Sequence, residues 1–326
     1  MRISILEPHL KLYGGIRRII ELSNRLVNRG HKVTIFHSDG SKCTWMECKA
    51  EIKSCNDILS ENHDVLIFND PPDYTAANEA KARLKVYFIL GLYDKNLLKG
   101  FKPKIYLPWF DRMRFVKKCL KSPYLKLVNA TWMYEWLKDN LNIDSQILIG
   151  GVNREIFHPV ESKKNSNEIK ILYSGDPRIY KGTDTILKAI EIVKKEMPLI
   201  VLDIYHNKGI PQEKMAEKYC SADIFVDGQL FGGWNNPVAE AMACKVPVVC
   251  TDIGAVGDFA FNEKTALIVP PKAPKAMANA ILRLIKDKKL RNDLSESAYN
   301  HIIKFDWDKS AERLEQILQS ELRKNG

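Results

Sequence analysis

Two basic residues and one glutamate have the types and spacing needed for chemistry on a charged substrate. Arg178 and Lys181 follow the apolar run ILYSG, and a helix is predicted to begin just after them. A guanidinium and an ammonium at the carboxyl end of a strand could neutralise a diphosphate. Glu240 lies one turn into a later predicted helix, where its carboxylate could accept hydrogen bonds from two sugar hydroxyls. On their own, Arg178 and Lys181 also fit two solvated loop charges.

The segment ADIFVDGQLFGGWNNPVAEAMACKVPVVCTDIGA, residues 222–255, predicts a strand, a glycine-rich loop, a helix and a second strand. Asn236 followed by Pro237 has the form of an N-cap and the first helical residue, so the helix is predicted to begin near Pro237. Its unpaired N–H groups and positive dipole end would face the loop, an arrangement that binds phosphate oxygens.

A second glycine pair, Gly14 and Gly15, precedes another predicted helix. It lets the backbone bend sharply and approach an anion or a sugar closely. A double glycine by itself also fits a simple turn.

Strands alternate with helices along the chain, which predicts parallel, doubly wound sheets and an α/β fold. In the first half the predicted strands cover residues 3–6, 33–36, 64–68, 85–90, 125–129 and 146–150, with helices after Gly15 and over 74–83 and 132–140. In the second half they cover residues 169–173, 199–204, 224–226, 246–250 and 266–269, with helices over 184–196 and 274–286 and throughout the last forty residues.

The length of 326 residues suits two domains. The polar stretch 161–168 is predicted to link them. We therefore expect an N-terminal Rossmann-like domain over residues 1–160 and a second over 168–305. The helix over 306–326 is expected to pack back toward the first domain.

The net charge of +10 favours an anionic partner, such as a nucleotide, a phosphorylated lipid, a membrane surface or a nucleic acid. Nucleic acid is disfavoured because no aromatic stacking platform or known motif accompanies the charge. No apolar run is long enough to span a bilayer, and Glu7 and Pro8 interrupt the opening apolar residues. A cytoplasmic location is expected.

The chain has seven cysteines and no C-x-x-C pair, which predicts reduced thiols rather than disulfides. A zinc cluster of Cys43, Cys48, Cys55, His37 and His63 is the alternative, but their spacing fits no standard zinc finger. No metal site is therefore expected.

Together these segments resemble the family 4 glycosyltransferases of GT-B fold. YGGIRRIIELSNRLVNRGHKVTIF is similar to the family's opening loop, helix and second strand, and VNATWMYEWL and IGGVNREIFHP to the segments closing its first domain. YSGDPRIYKGTDTILKAI is similar to its phosphate-binding motif, and ADIFVDGQLFGGWNNPVAEAMACKVPVVCT to its donor-site motif. The resemblance implies two Rossmann-like domains facing a central cleft.

The resemblance also implies sugar transfer from a nucleotide diphosphate sugar with retention of configuration, without a metal or other cofactor. The acceptor would be a glycan, a polysaccharide precursor or a glycolipid. Arg178 and Lys181 match the cations that stabilise the departing diphosphate, and Glu240 matches the glutamate that holds the donor ribose. The implied donor-binding residues are Gly14, Gly15, Gly175, Gly233, Trp234, Asn235, Asn236, Pro237 and Val238.

Three departures from the family pattern stand out. Gly232 occupies the position of the first of two paired glutamates, and the chain between Ile204 and Ala222 is short, which leaves the donor base open. The usual first-domain histidine is absent, so Asn69, Asp70 and Asp94 are the candidates for the acceptor side. A catalytically silent homologue that binds nucleotide sugar or a partner transferase is the alternative, and a sugar-nucleotide epimerase is a further one.

Residues 109–123, WFDRMRFVKKCLKSP, predict a basic amphipathic helix. Its basic face could bind an anionic membrane surface, which would place the protein peripherally at the inner membrane face. The alternative is a helix whose apolar stripe lies in the domain core.

Overall fold

The computed structural model describes residues 1–91, 107–161, 168–206 and 208–324, with side chains from residue 113 onward in the second range. The chain divides into two compact units. One comprises Met1–Gly150 and Trp307–Gly326, and the other comprises Gly151–Asp306.

The first unit contains a parallel sheet of seven strands among the described residues, in the order β3-β2-β1-β4-β5-β6-β7. The strands are β1 Arg2–Leu6, β2 Lys32–His37, β3 Glu51–Ser54, β4 Asn62–Phe68, β5 Lys81–Ile89, β6 Leu125–Val128 and β7 Gln146–Ile147. The helices are α1 Gly14–Asn28, α2 Tyr74–Glu79, α3 Leu107–Lys121 and α4 Thr131–Leu141.

Strand β1 marks the switch point of this sheet. The chain runs from β1 outward to β2 and β3, and then returns to place β4 on the other side of β1. Ligands of open α/β sheets bind where the carboxyl ends of two such strands diverge. Any site in this unit is therefore expected beside the residues that follow β1 and β4.

The second unit contains a parallel sheet of five strands among the described residues, in the order β12-β11-β10-β8-β9. The strands are β8 Ile169–Tyr173, β9 Ile200–Ile204, β10 Ile224–Asp227, β11 Val248–Thr251 and β12 Leu267–Val269. The helices are α5 Thr183–Glu196, α6 Met215–Cys220, α7 Asn236–Ala243, α8 Pro274–Lys286 and α9 Lys288–Ile302. Here β8 and β10 diverge, so their carboxyl ends form the switch point.

The terminal helix α10, Trp307–Lys324, belongs to the first unit. Its buried residues Leu314, Ile317 and Leu318 join the same hydrophobic cluster as the inner face of α1. Ser310 Oγ donates a hydrogen bond to the carbonyl oxygen of Ile149 at 2.7 Å. The first unit is thus assembled from both ends of the chain.

The boundary between the units lies earlier than the sequence predicts. Residues 151–160, expected in the first domain, belong to the second unit. The Val152 amide donates to the Phe305 carbonyl at 3.0 Å, and the ring of Phe157 lies 6.1 Å from that of Tyr219. These contacts tie residues 151–160 to the second unit.

Two helix predictions need correction. The helix predicted over 74–83 ends at Glu79, because Lys81 and the residues after it pair with β4 as strand β5. The last forty residues are not continuously helical, since α9 ends at Ile302 and α10 begins at Trp307. Strand β3 was missed because EIKS is polar and lies at the sheet edge.

The seven cysteines are free thiols. In the proposed zinc group, His63 bonds to Ser4 Oγ at 2.7 Å and to the Ile58 carbonyl at 2.9 Å, and His37 bonds to the Ser41 carbonyl. Local hydrogen bonds thus engage both histidines. Within the residues that the structure describes, no helix is long and apolar enough to cross a membrane.

Candidate active site

Gly175 begins the loop at the carboxyl end of β8. Its φ of +75° lies in the left-handed region, and a Cβ there would come within 2.9 Å of Ile204. Both features require glycine. The turn places Asp176 next, with its amide donating to Ser174 Oγ at 3.3 Å and its side chain buried.

Arg178 is held by Asp176. Its Nε lies 3.0 Å from both carboxylate oxygens, and its guanidinium carbon lies 5.1 Å from the ring centroid of Tyr180. Burial alone would raise the pKa of Asp176, but the hydrogen bonds and charge of Arg178 outweigh burial, so that pKa lies below its ordinary value. About two fifths of the Arg178 side chain stays exposed (43%), so the guanidinium can still meet an anion.

Lys181 donates from Nζ to Gln229 Oε1 at 2.7 Å. Burial lowers the pKa of this lysine, while the carboxylates of Asp227, Asp176 and Glu240 act against that shift and the charge of Arg178 adds to it. The ammonium is partly removed from water and lies among charged groups that include Arg178 and Glu240, which the sequence predicts, and two aspartates, which it does not. A charge in such surroundings acts more strongly on an incoming anion than one in bulk solvent.

Asp227, the last residue of β10, fixes the loop that follows. Its Oδ1 accepts hydrogen bonds from the Gln229 amide at 3.0 Å and from Asn235 Nδ2 at 2.9 Å. Burial raises the pKa of Asp227, and the charge of Lys181 partly offsets that effect. One carboxylate therefore connects the beginning of the glycine-rich loop to its end.

The loops after β8 and β10 are in direct backbone contact. A Cβ on Gly182, whose φ is +65°, would overlap the carbonyl oxygen of Gly228. The Leu230 amide donates to the Tyr180 carbonyl at 2.7 Å. This contact brings the loop of Lys181 against the loop of Gln229 at the switch point of the second sheet.

Helix α7 begins one residue earlier than the sequence predicts. Its N-cap is Asn235, whose side chain accepts from the Val238 amide at 3.4 Å, and Asn236 is the first helical residue. Asn235 rather than Asn236 is the N-cap because the side-chain NH₂ group of Asn235 is held by the buried carboxylate of Asp227. The Asn235 amide donates to the Ala255 carbonyl, the Val238 amide donates to the Asn235 side chain, and Pro237 has no N–H, so these three residues offer fewer backbone donors than the sequence predicts.

Trp234 packs inside the second unit. Its ring centroid lies 4.5 Å from that of Phe259 and 5.5 Å from that of Phe305, and the side chain is buried. Gly233 beside it is also buried. The indole therefore anchors the loop instead of presenting a face to a sugar.

Glu240 receives a hydrogen bond from a residue that sequence analysis missed. Tyr219 Oη on α6 lies 2.9 Å from Glu240 Oε2, and both side chains are buried. Burial and the neighbouring carboxylate raise the pKa of Tyr219 well above its ordinary value, so its hydroxyl remains a donor. No local signal reveals this pair, whereas Asp227 could have been suspected as a polar residue ending an apolar strand, and Asp176 as a polar residue shortly after one.

In the first unit, Gly14 and Gly15 are the first residues of α1 and not a loop before it. A Cβ on Gly15 would lie 3.2 Å from Leu90 Cδ1, so the glycine allows this helix end to approach the residue after β5. The N-cap is Tyr13, without a side-chain capping bond.

Asn69 and Asp70 follow β4 and lie beside Glu7, which follows β1. Asn69 Nδ2 donates to Glu7 Oε1. Burial, together with the charges of Asp73 and Asp70, raises the pKa of Glu7 well above its ordinary value. Glu7 is thus a polar group at the switch point that the sequence did not reveal. Asp94 lies outside the described residues.

Within the second unit, then, Lys181 lies close enough to both Arg178 and Glu240 for their charges to act on it. Residues 203–301 match the family model described as Glycosyl transferases group 1. The second unit carries a glycosyl transferases group 1 domain. This domain contains Gln229, Gly232 and Glu240, whereas Arg178 and Lys181 lie before the matched residues.

A relative of this chain is a Bacillus subtilis protein, TuaC, named for a glycosyltransferase role in teichuronic acid biosynthesis. The two are 30% identical over 68% of this chain, and the match spans 63% of the relative's length. The chain therefore corresponds to less than two thirds of that relative.

Solved structures with the same fold cover nearly all of this chain. Sucrose-phosphate synthase from Thermosynechococcus elongatus aligns with a TM-score of 0.77 at 17% identity, over 99% of both chains. Alr3699/HepE from Anabaena, solved with UDP-glucose, aligns with a TM-score of 0.72 at 14% identity, over 98% of this chain and 100% of its own. The chain has the GT-B fold, which confirms the fold expected from the sequence resemblance.

Proposed function

We propose that this protein is a retaining glycosyltransferase that moves a sugar from a nucleotide diphosphate sugar to a glycan, polysaccharide-precursor or glycolipid acceptor. The observation that carries the proposal is the placement of Lys181. Its ammonium is partly buried, held by Gln229, and lies within electrostatic reach of Arg178 and Glu240 at the switch point of the second sheet.

The chemistry of this arrangement suits a diphosphate leaving group. When the sugar–oxygen bond breaks, negative charge grows on the diphosphate, and fixed positive groups beside it lower the barrier. Lys181 would supply positive charge at this point from a partly buried position, offset in part by the neighbouring carboxylates. Arg178 would supply less, because Asp176 neutralises part of it. Glu240, oriented by Tyr219, would accept hydrogen bonds from ribose hydroxyls.

The comparisons support the substrate classes. Alr3699/HepE, which shares the fold, was solved with UDP-glucose, which supports a nucleotide sugar as donor. TuaC is named for teichuronic acid biosynthesis, which supports a polysaccharide-type acceptor. For the acceptor side of the first unit we propose Asn69 and Asp70 together with Glu7, because all three follow the diverging strands β1 and β4.

The donor can be found by a thermal-shift screen of nucleoside diphosphates and their sugars. A ligand present at a hundred times its dissociation constant stabilises the fold by about 2.7 kcal/mol. A shift with one base and not with others identifies the nucleotide.

Lys181→Ala tests the enzyme reading directly. We expect turnover to fall by about 10²–10³-fold, with a smaller change in nucleotide affinity, because the lysine acts most strongly on charge that develops during the reaction. Lys188→Ala is the matched control, since Lys188 is exposed on α5 and pairs with Asp184 at 2.8 Å. Wild-type protein that binds nucleotide sugar but never turns it over would favour the silent-homologue alternative, which the glycine at 232 motivates.

We also propose weak peripheral binding to anionic lipid through α3. In its described part, Val116 and Cys119 are buried in the unit, while Arg114, Lys117 and Lys121 are exposed. The described apolar stripe therefore belongs to the core, and only the basic face can reach a membrane. The remaining side chains of this stretch, at 109–112, lie outside the described residues.

Liposome sedimentation tests this contact. We expect wild-type protein to bind vesicles containing phosphatidylserine at low salt and the variant Lys117→Glu/Lys121→Glu to lose that binding. Lys194→Glu/Lys195→Glu, on the exposed end of α5, is the charge-matched control. Equal loss in both variants would contradict a specific role for α3.

A further inference from the structure

Gln229 is a buried glutamine whose backbone is fixed on both sides. Its amide donates to Asp227 Oδ1 at 3.0 Å, and its carbonyl oxygen accepts from Thr251 Oγ1. The residue is only 4% exposed. The two hydrogen bonds fix the backbone from which the side chain projects, and burial limits the rotamers that the side chain can adopt.

The orientation of the Gln229 amide follows from its neighbour. Lys181 Nζ lies 2.7 Å from Oε1, and a lysine ammonium can only donate hydrogen bonds. The oxygen must therefore face Lys181. The NH₂ group of Gln229 points away from the lysine and can act only as a donor.

Gly232 leaves room for that NH₂ group. A Cβ at position 232 would overlap Gln229 Nε2, whereas the next residue it would meet, Ala255, is 3.8 Å away at Cβ. Gly232 has no positive φ that would by itself demand glycine. The glycine is explained by space: the Gln229 amide occupies the volume where a side chain at 232 would begin.

We propose that Gln229 is a donor-site residue that replaces the side chain absent at Gly232, contacting the transferred sugar through its NH₂ group while holding Lys181 through its oxygen. This inference rests on the proposed glycosyltransferase function. The family resemblance places a carboxylate at position 232, which accepts hydrogen bonds and carries a charge. Gln229 offers a neutral donor from a neighbouring position, so the sugar would present an acceptor oxygen to it.

The placement is tested first, without reference to activity. Urea unfolding is measured for Gly232→Ala, Gln229→Ala and the double variant. We expect Gly232→Ala to destabilise the protein and most of that loss to disappear when Gln229 is also alanine. Gly91→Ala is the control, because a Cβ there meets nothing within 4 Å. If the stability losses of the two single variants simply add in the double variant, the packing of the Gln229 amide beside Gly232 is overturned, whatever the function of the protein.

The role is tested by calorimetric binding of UDP and UDP-glucose. Removing one hydrogen bond to the sugar should raise the ratio of the UDP-glucose Kd to the UDP Kd by about fivefold in Gln229→Ala. In Lys181→Ala that ratio should not change, because both ligands carry the diphosphate. In Gln229→Ala/Gly232→Glu, the carboxylate at position 232 can only accept hydrogen bonds, so the ratio should stay raised, and a recovered ratio would contradict an acceptor oxygen on the sugar at this point.

The outcomes separate this inference from the function on which it rests. If wild type binds both ligands and the ratio is the same in Gln229→Ala, the role of Gln229 is overturned and the transferase proposal stands. If wild type binds neither ligand and turns over no donor in the screen, the function is overturned and the donor-site role with it. In that case, non-additive losses of stability in the Gly232 and Gln229 variants would still show that the Gln229 side chain packs against Gly232.

Discussion

Buried carboxylates organise the residues of the second unit. Asp176 holds Arg178, Asp227 holds both ends of the glycine-rich loop, and Glu240 accepts from Tyr219. Each carboxylate has a donor inside the unit, as a charge removed from water requires. Groups held in this way need little reordering when a substrate arrives, which favours electrostatic catalysis.

Tyr219→Phe should weaken the second unit and its nucleotide binding together. The change removes one buried donor from Glu240, and a hydrogen bond to a charged group is worth about 1.5–3 kcal/mol. Urea unfolding and calorimetry with UDP measure the two effects. Tyr124→Phe is the control, since its hydroxyl bonds to Asn78 at 2.6 Å in an exposed position. Equal costs for both variants would contradict the special role of the Tyr219 hydroxyl.

Glu7→Gln should stabilise the protein near neutral pH. Burial raises the folded-state pKa of Glu7 above its ordinary value of 4.5, so the folded protein binds this proton more tightly than the unfolded chain. Its stabilising contribution is complete below the ordinary pKa and is lost as pH rises toward the folded pKa. Glutamine is neutral at every pH, like the protonated acid, so its contribution to stability does not fall as pH rises.

The stability gained by Glu7→Gln should therefore grow in urea unfolding as pH rises above the ordinary glutamate pKa of 4.5. Glu79→Gln, at an exposed position in α2, is the control and should show a flat difference. A gain that does not change with pH would indicate that packing, rather than protonation, separates the two proteins.

At the scale of elements, the contact between two loops creates the candidate site. The loop between β8 and α5 carries Arg178 and Lys181, and the loop between β10 and α7 carries Gln229 and Gly232. They meet at Gly182 and Gly228, where neither backbone leaves room for a side chain. These loops are neighbours because β10 lies beside β8 in the sheet, although β9 separates the two strands in sequence.

Gly182→Ala should cost several kcal/mol, because the new Cβ would overlap the Gly228 carbonyl and force the two loops apart. Gly30→Ala is the matched control. Gly30 also has a positive φ, +84°, but a Cβ there meets nothing within 4 Å, so only the left-handed strain of about 1–2 kcal/mol applies. Thermal unfolding of both variants measures the difference. Similar losses would show that backbone strain, and not loop contact, explains Gly182.

At the scale of the whole molecule, each unit has its own hydrophobic packing among the described residues, and one core cluster of the first unit joins residues from near both ends of the chain. Helix α10 closes the core of the first unit beside α1, although the second unit separates them in sequence. The buried Arg18 guanidinium lies 5.3 Å from the ring centroid of Trp307, and burial lowers its pKa to about 9. Helix α10 is therefore a structural part of the first unit.

Leu318→Ala should destabilise the first unit selectively, by about 2–5 kcal/mol. Leu318 is fully buried among residues of α1 and α10. Native-state hydrogen exchange should then speed up in peptides from β1 and α1 and stay unchanged in those from β8 and α5. Leu284→Ala, at a fully buried position in the second core, should give the reverse pattern. Uniform acceleration in either variant would contradict separate cores.

Much of the fold could be predicted from the sequence, because alternating apolar runs and helical periodicity are local properties. The strands at Ile169–Tyr173 and Gln146–Ile147 and the helix at Pro274–Lys286 lie where the pattern placed them, within a few residues. The α/β class and the resemblance to GT-B proteins followed from these elements and from short motifs. Lys181 and Glu240 were also identifiable, since Lys181 follows a predicted strand and Glu240 lies one turn into a predicted helix.

What only the tertiary structure decided are the partners of those residues. Tyr219 reaches Glu240 from another helix, and Gln229 lies against Gly232 because Asp227 and Lys181 orient it. Asn235, rather than Asn236, caps α7 because a buried carboxylate selects it. These contacts depend on the order of strands in the sheet, which brings distant loops together, and periodicity along one segment carries no information about that order.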